Sequence, residues 1–265
     1  MEKVVIRDSI SDLGTPSLEG YLVHALCTAG SMEFDLNGLR RVLRAGDVMI
    51  VRREWLVTDM RPTDDFRVTV IYVDAGYVEG CTPQTNYGIK GQMALYINPV
   101  MNLTAAQYEL CRRAFDAVIF RHGARESMFY EEGLRCALQQ MIVDFYDFHA
   151  QLYGDCAVST RQASLLSGFF SMLESGAYRR TRDVSHYASE LCVTPKYLSE
   201  VCKKVSGHGA NFWINRYTLI DLSRCLRDRS LTFSQVADLF NFSSPAYFSR
   251  YVLNYLGMSP SQYRG

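Results

Sequence analysis

One six-residue pattern occurs twice, fifty positions apart, and it limits what the last third of this chain can fold into. The first copy is Thr194-Pro195-Lys196-Tyr197-Leu198-Ser199 and the second is Ser244-Pro245-Ala246-Tyr247-Phe248-Ser249. A hydroxyl residue followed by proline is a helix start: the hydroxyl accepts from free backbone N–H groups, and the fixed φ of proline suits the first helical position. Each copy is preceded by a short helical segment, Tyr187–Leu191 or Val236–Phe240. A short helix, a tight turn and a second helix make the helix-turn-helix plan.

Helical spacing assigns faces to both second helices. In the first, Leu198, Val201, Cys202 and Val205 should pack inward, leaving Lys196, Ser199, Glu200 and Lys203 outside. In the second, Phe248, Tyr251, Val252 and Tyr255 form the inward set, and Ala246, Tyr247, Ser249, Arg250 and Asn254 lie outward or at the edge. Recognition helices of this plan read base edges in the major groove with their N-terminal residues. Arg250 suits a bidentate contact to guanine, and Glu200 can accept from a cytosine amino group. Lys203, Lys204, Arg179, Arg180 and Arg182 suit phosphates, which give affinity rather than sequence choice. Between the units, Ala210 to about Arg229 reads as one helix, a stiff spacer about 27 Å long, against roughly 34 Å for one DNA turn.

Charge agrees with this division. The chain is neutral overall, but residues 1–160 carry a net −6 and residues 161–265 a net +6. A basic segment beside an acidic one points to an anionic partner for the former. The eight cysteines, without a CxxC pair, read as reduced thiols of a cytosolic protein. The N-terminus does not read as a signal peptide, no apolar run spans a bilayer, and a cytoplasmic location is expected.

Ahead of the basic segment the period is that of strands. Residues 1–19 read as an irregular arm. Leu22–Leu26, the alternation Met32-Phe34-Leu36, Val48–Val51 and Phe66–Val73 read as strands, with turns at Asn37-Gly38 and Ala45-Gly46-Asp47. The set suggests a small barrel or sandwich. Near residue 100 the period changes to 3.6. Thr104 and Gln107 form a capping box, opening a helix to about Arg121 with Leu110, Ala114, Ala117 and Val118 on one face. A second helix from about Phe129 to Leu152 carries Leu134, Leu138, Met141, Ile142 and Phe145 in register. Such stripes can join two copies of the chain or cover its own barrel. Residues 153–163 hold few large apolar side chains and read as a linker.

Several functional readings are weighed against blander ones. Tyr21, Trp55, Tyr72, Tyr77 and Tyr87 could line an effector pocket, although aromatic residues at strand spacing are usually core. Arg40, Arg41, Arg52 and Arg53 could bind an anion, although such arginines are usually solvated. His24 is the sole histidine of the strand region, so a metal site is not expected. No P-loop, GxSxG or dinucleotide fingerprint is present.

The two patterns also carry a resemblance. From Tyr187-Ala188 through Trp213-Ile214 to Tyr247-Phe248-Ser249-Arg250 and Gly257-Met258-Ser259-Pro260…Tyr263-Arg264, the C-terminal region resembles the DNA-binding domain of the AraC/XylS regulators. It departs at Asn241, where the turn glycine stands, and at Val252-Leu253-Asn254, where two cations are missing. The resemblance implies an α+β chain: a cupin-like sensor barrel with its arm (1–100), a dimerising helical region (101–153), a linker (154–163) and an all-α double helix-turn-helix domain (164–265). It places Lys196, Ser199, Glu200 and Arg250 against bases, with Lys203, Tyr247, Ser249 and Asn254 completing the expected DNA-binding set. It implies a bacterial transcription regulator and not an enzyme, with double-stranded DNA, a second copy, a small effector and RNA polymerase as partners and no cofactor. Two alternatives are a ligand-independent regulator whose barrel only dimerises, and a cupin-type enzyme with a DNA-binding tail.

Overall fold

The computed structural model describes residues 2–36, 39–52, 57–83, 91, 95, 98–153 and 159–265. The expected Asn37-Gly38 turn, Arg53, Trp55, Tyr87, Cys156 and most of the expected linker lie outside the described residues. The chain divides into two compact units, Met1–Ala157 and Val158–Gly265. The first is built on sheet and the second on helices.

The first unit holds eight described strands: β1 (Val4–Arg7), β2 (Tyr21–Ala29), β3 (Ser31–Leu36), β4 (Leu39–Arg44), β5 (Asp47–Val51), β6 (Val57–Pro62), β7 (Arg67–Asp74) and β8 (Val100–Asn102). They form a five-stranded antiparallel sheet, β1-β7-β2-β5-β8, and a three-stranded one, β4-β3-β6. Among the described residues these sheets do not close into the expected barrel. The arm is not irregular throughout. Val4-Val5-Ile6 is a β-branched run that the adjoining charged residues conceal in the sequence, and it pairs along β7. The Ala45-Gly46 turn leads into Asp47, whose Oδ2 accepts from the Arg44 N–H (2.9 Å) while Oδ1 accepts from Asn102 Nδ2 (2.9 Å).

Three α-helices of this unit have their bounds among the described residues. Asp74 caps α1 (Ala75–Cys81), which the sequence reading did not anticipate. Thr104 and Gln107 form the expected capping box of α2 (Ala105–Gly123), and α3 spans Tyr130–Tyr153. The apolar stripe that raised the prospect of a contact between copies is buried in the unit's own core: Leu134, Leu138, Met141 and Phe145 join Leu22, Ile50 and Ile71 of the sheet. On α2 the inward face is Cys111, Ala114, Phe115 and Val118. Leu110 and Ala117, placed by spacing on one face with Ala114 and Val118, are exposed, Leu110 at 49%. No described helix is long and apolar enough to cross a membrane.

His24 sits on the helix-facing side of β2. Its ring is stacked on Phe145, with centroids 5.9 Å apart. Burial holds the imidazole pKa down to about 4; the Ile71 backbone opposes the shift and Arg52 adds to it. An unfolded chain takes up a proton near pH 6.5 that the folded ring refuses. Stability is therefore fully present above that pH and is lost as pH falls toward about 4, by about 3 kcal/mol. Denaturant titrations at pH 7 and pH 5 on the wild type and on His24→Leu check this: the variant should lose less stability on acidification. Equal losses in both proteins would refute it.

The second unit contains α4 (Thr160–Glu174), a 3-10 turn (Ala177–Arg179), α5 (Val184–Glu190), α6 (Pro195–Ser206), α7 (Ala210–Arg227), α8 (Phe233–Leu239), α9 (Pro245–Leu256) and α10 (Pro260–Arg264). Trp213 of α7 is fully buried, with its ring edge-on to Phe170 of α4 (5.2 Å between centroids). Phe169 meets Tyr187 of α5 in the same manner (5.5 Å).

Candidate nucleic-acid interface

The two repeats build the same backbone. Thr194 accepts from the Tyr197 N–H (3.2 Å) and Ser244 from the Tyr247 N–H (3.1 Å), with Pro195 and Pro245 in the first turn of α6 and α9. Before each, the chain turns through one residue with left-handed backbone, Cys192 (φ 54°) or Asn241 (φ 47°). The next N–H closes the turn, Val193 onto the Ala188 carbonyl (2.9 Å) and Phe242 onto the Ala237 carbonyl (3.0 Å). Asn241 adopts this conformation more readily than most residues, and its Nδ2 donates to the Arg180 carbonyl (2.9 Å). Both helices end at a left-handed glycine, Gly207 (φ 78°) and Gly257 (φ 75°), the residue type that a left-handed C-cap favours.

Caps at both ends fix the phase of each helix, and phase decides what faces outward. Leu198, Val201, Cys202 and Val205 are buried under α6, as are Phe248, Tyr251 and Val252 under α9. On α6 the outer stripe is Lys196, Ser199, Glu200 and Lys203, all exposed except half-buried Ser199. The matching stripe on α9 is Ala246, Ser249, Arg250 and Leu253, every one exposed, with Tyr247 and Asn254 exposed beside it. Lys203 and Lys204 thus correspond to Leu253 and Asn254, so the outer face of α9 has one cation where α6 has three. That cation, Arg250, lies 5.6 Å from the Tyr247 ring centroid. Lys196 and Glu200 are 4.0 Å apart on an exposed face, a pair too weak to hold either side chain in place.

The long helix α7 is tied to both α6 and α9. The Trp213 indole Nε1 donates to Ser206 at the end of α6 (3.0 Å). Asn215 engages α9 with both ends of its amide: Nδ2 donates to the Tyr255 hydroxyl (3.0 Å), and the Tyr251 hydroxyl donates to Oδ1 (2.7 Å). Tyr255, assigned inward from the sequence, is 48% exposed; its ring leans on Tyr251 with centroids 4.6 Å apart. Sequence reasoning missed this clamp. Its trace is an asparagine in an apolar helix and two tyrosines four residues apart.

Two arginines assigned to phosphates have other work. Arg179 Nε donates to the buried Asp221 carboxylate (2.6 Å), which also accepts from the Tyr178 hydroxyl (3.1 Å). Arg182 donates to the Phe240 carbonyl (2.6 Å) and lies over the Phe242 ring (4.2 Å), bracing the second turn. Arg180 remains exposed. The seven described cysteines are free thiols; burial pushes that of Cys202 up to about 12. Of the proposed effector aromatics, Tyr21 donates its hydroxyl to the Glu2 carbonyl, Tyr72 is fully buried and Tyr77 is half-buried. Arg40 pairs with Asp59 (3.0 Å).

Comparison with known proteins falls on this same region. Residues 187–265 match a family model described as a helix-turn-helix domain. The regulatory protein PocR of Salmonella typhimurium (strain LT2) is 29% identical over 77 residues, which are 29% of this chain and 25% of PocR. Among solved structures, ToxT from Vibrio cholerae O395 superposes with a TM-score of 0.48 at 12% identity, covering 93% of this chain and 89% of that one. Wild-type ToxT of Vibrio cholerae strain SCE256, solved with an unsaturated fatty acid bound, gives 0.46 at 13% identity, covering 93% and 87%. The matched segment runs through the capped helices α6 and α9 and the helix that joins them, and residues 187–265 are an AraC-type helix-turn-helix domain.

Proposed function

We propose that the chain is a sequence-specific transcription regulator that binds double-stranded DNA as a homodimer and responds to a small molecule. The observation that carries the DNA part is the pair of equivalent exposed stripes on α6 and α9, held by one shared helix through Trp213 and Asn215. At 18 residues α7 is about 27 Å long, which suits reading helices placed in neighbouring major-groove segments about 34 Å apart. Lys196, Ser199 and Glu200 then face the bases of one segment, and Tyr247, Ser249, Arg250 and Asn254 those of the next. Lys203 and Lys204 lie along phosphate. With fewer cations, α9 contributes less of the affinity and a larger share of the sequence choice. The outward apolar residues Leu110 and Phe120 of α2 and Val143 of α3 are the surface offered to a second copy. The segment that joins α3 to α4 serves as the linker through which sensing re-aims the DNA-binding units, in place of the 154–163 span read from the sequence, since Thr160 already opens α4; the DNA-bound dimer contacts RNA polymerase.

Selection of bound sites from random DNA tests the reading. Sites with two short conserved segments one helical turn apart per copy support it; no enrichment over input refutes it. Lys203→Ala should weaken binding to all sequences alike and make the slope of log affinity against log salt shallower by about 1. An unchanged slope, measured by fluorescence anisotropy, would remove Lys203 from the phosphate contacts.

A further inference from the structure

The helix-facing side of the five-stranded sheet is not filled throughout. A cavity of about 60 Å³ lies there. Two periodicities build it. In antiparallel register His24 opposes Ile50, and alternation puts Leu22 with His24 on one face and Arg52, two residues on, with Ile50. The helix supplies Ile142, Phe145, Tyr146 and His149, which share a face of α3 at spacings of three and four. His24 and His149 are far apart in the chain, yet the fold places both on one cavity wall, each only 3% exposed.

The wall is mostly apolar, with few polar groups. His24 is the most telling of them. Its Nδ1 is buried with no hydrogen-bond partner among the described residues, an arrangement that costs stability and that leucine at this position would avoid. Arg52 is the sole cationic side chain on the described wall, and its charge bears on both His24 and Tyr146. A single guanidinium fork matches the two oxygens of a carboxylate, whereas a phosphate dianion calls for further cations. A water-sized sphere needs about 10–15 Å³ of such space, so the cavity takes roughly four to six heavy atoms.

We infer that this cavity binds a small monocarboxylate, its carboxylate at Arg52 and its apolar body between Leu22, Ile50 and Ile142. The inference rests on the sensing reading only for its consequence at DNA; occupancy itself is read directly on the protein.

The test is titration calorimetry on the full chain with butyrate and propionate, each against its uncharged amide, butyramide and propionamide. At least one acid should bind saturably with a Kd below about 1 mM, and its amide at least about tenfold more weakly. Arg52→Gln should remove that tenfold preference. Ile142→Trp should block binding by filling the cavity, with the thermal melt of each variant reporting that it folds. If no probe binds at about 10 mM, or acid and amide bind alike, the inference is overturned. The comparison on unaltered protein stands even if a variant fails to fold. Tight, acid-selective binding with no change in DNA affinity would uphold the site and refute the sensing reading instead.

Discussion

Replacing Asp221 with alanine should lower the stability of the helical unit by about 3 kcal/mol, one of the two largest effects anticipated for a single substitution in this protein. The carboxylate sits on α7 at 3% exposure and accepts from Arg179 Nε (2.6 Å), the Tyr178 hydroxyl (3.1 Å) and Arg224 (3.4 Å). It joins the 3-10 turn after α4 to the helix that supports both readers. Its removal takes an acceptor from the buried Tyr178 hydroxyl and the counter-charge from Arg179. Breaking such a pair costs about 3–5 kcal/mol when both partners are buried. The low end applies because the Arg179 side chain is 35% exposed and can turn toward water. In a unit of this size the loss corresponds to a fall in Tm of about 15 °C. Circular dichroism melts of the full chain measure it, with Arg224→Ala as control: that side chain is 44% exposed and its removal should cost under about 1 kcal/mol. A drop of only a few degrees for Asp221→Ala would show that the network is not a stabilising centre.

The second large effect belongs to DNA. Arg250→Ala should cost about 1–3 kcal/mol of binding, roughly fivefold to 150-fold, and the loss should depend on sequence. Arg250 is the one cation on the exposed stripe of α9, where Leu253 and Asn254 replace the lysines of α6. Its role therefore separates from bulk electrostatics more cleanly than that of any residue on α6. Arg250→Lys keeps the charge and loses the fork, so it should leave the salt slope unchanged while relaxing base preference at one position. Competition binding against operators permuted at each position distinguishes the cases. If Arg250→Ala weakens every sequence equally, Arg250 contacts phosphate and the assigned reading face is displaced.

Much of the second unit was legible because its signals are local. A capping hydroxyl and a proline set where α6 and α9 begin, a glycine sets where each ends, and 3.6-residue spacing between those limits fixes which side chains face out. None of this needs knowledge of a distant residue. The helix starts at Thr104, Thr194 and Ser244 were readable for the same reason.

What tertiary structure decided were the partnerships between elements far apart in the chain. Helical spacing puts Leu110 on one face with Ala114 and assigns Tyr255 inward; whether such a position is covered depends on how much surface the neighbouring element offers. Arg179 and Arg182 read as phosphate ligands until Asp221 and the Phe240 carbonyl are brought beside them. The pairing of β1 with β7, and the meeting of His24 with His149 on one cavity wall, follow from strand register and from which face of the sheet α3 covers. Amino-acid order alone determined the local conformations and the outward stripes of α6 and α9, because short-range sterics and hydrogen bonds act within a few residues. The cavity, the internal ion pair and the clamp at Asn215 were decided by long-range packing, where the free energy depends on which surfaces meet.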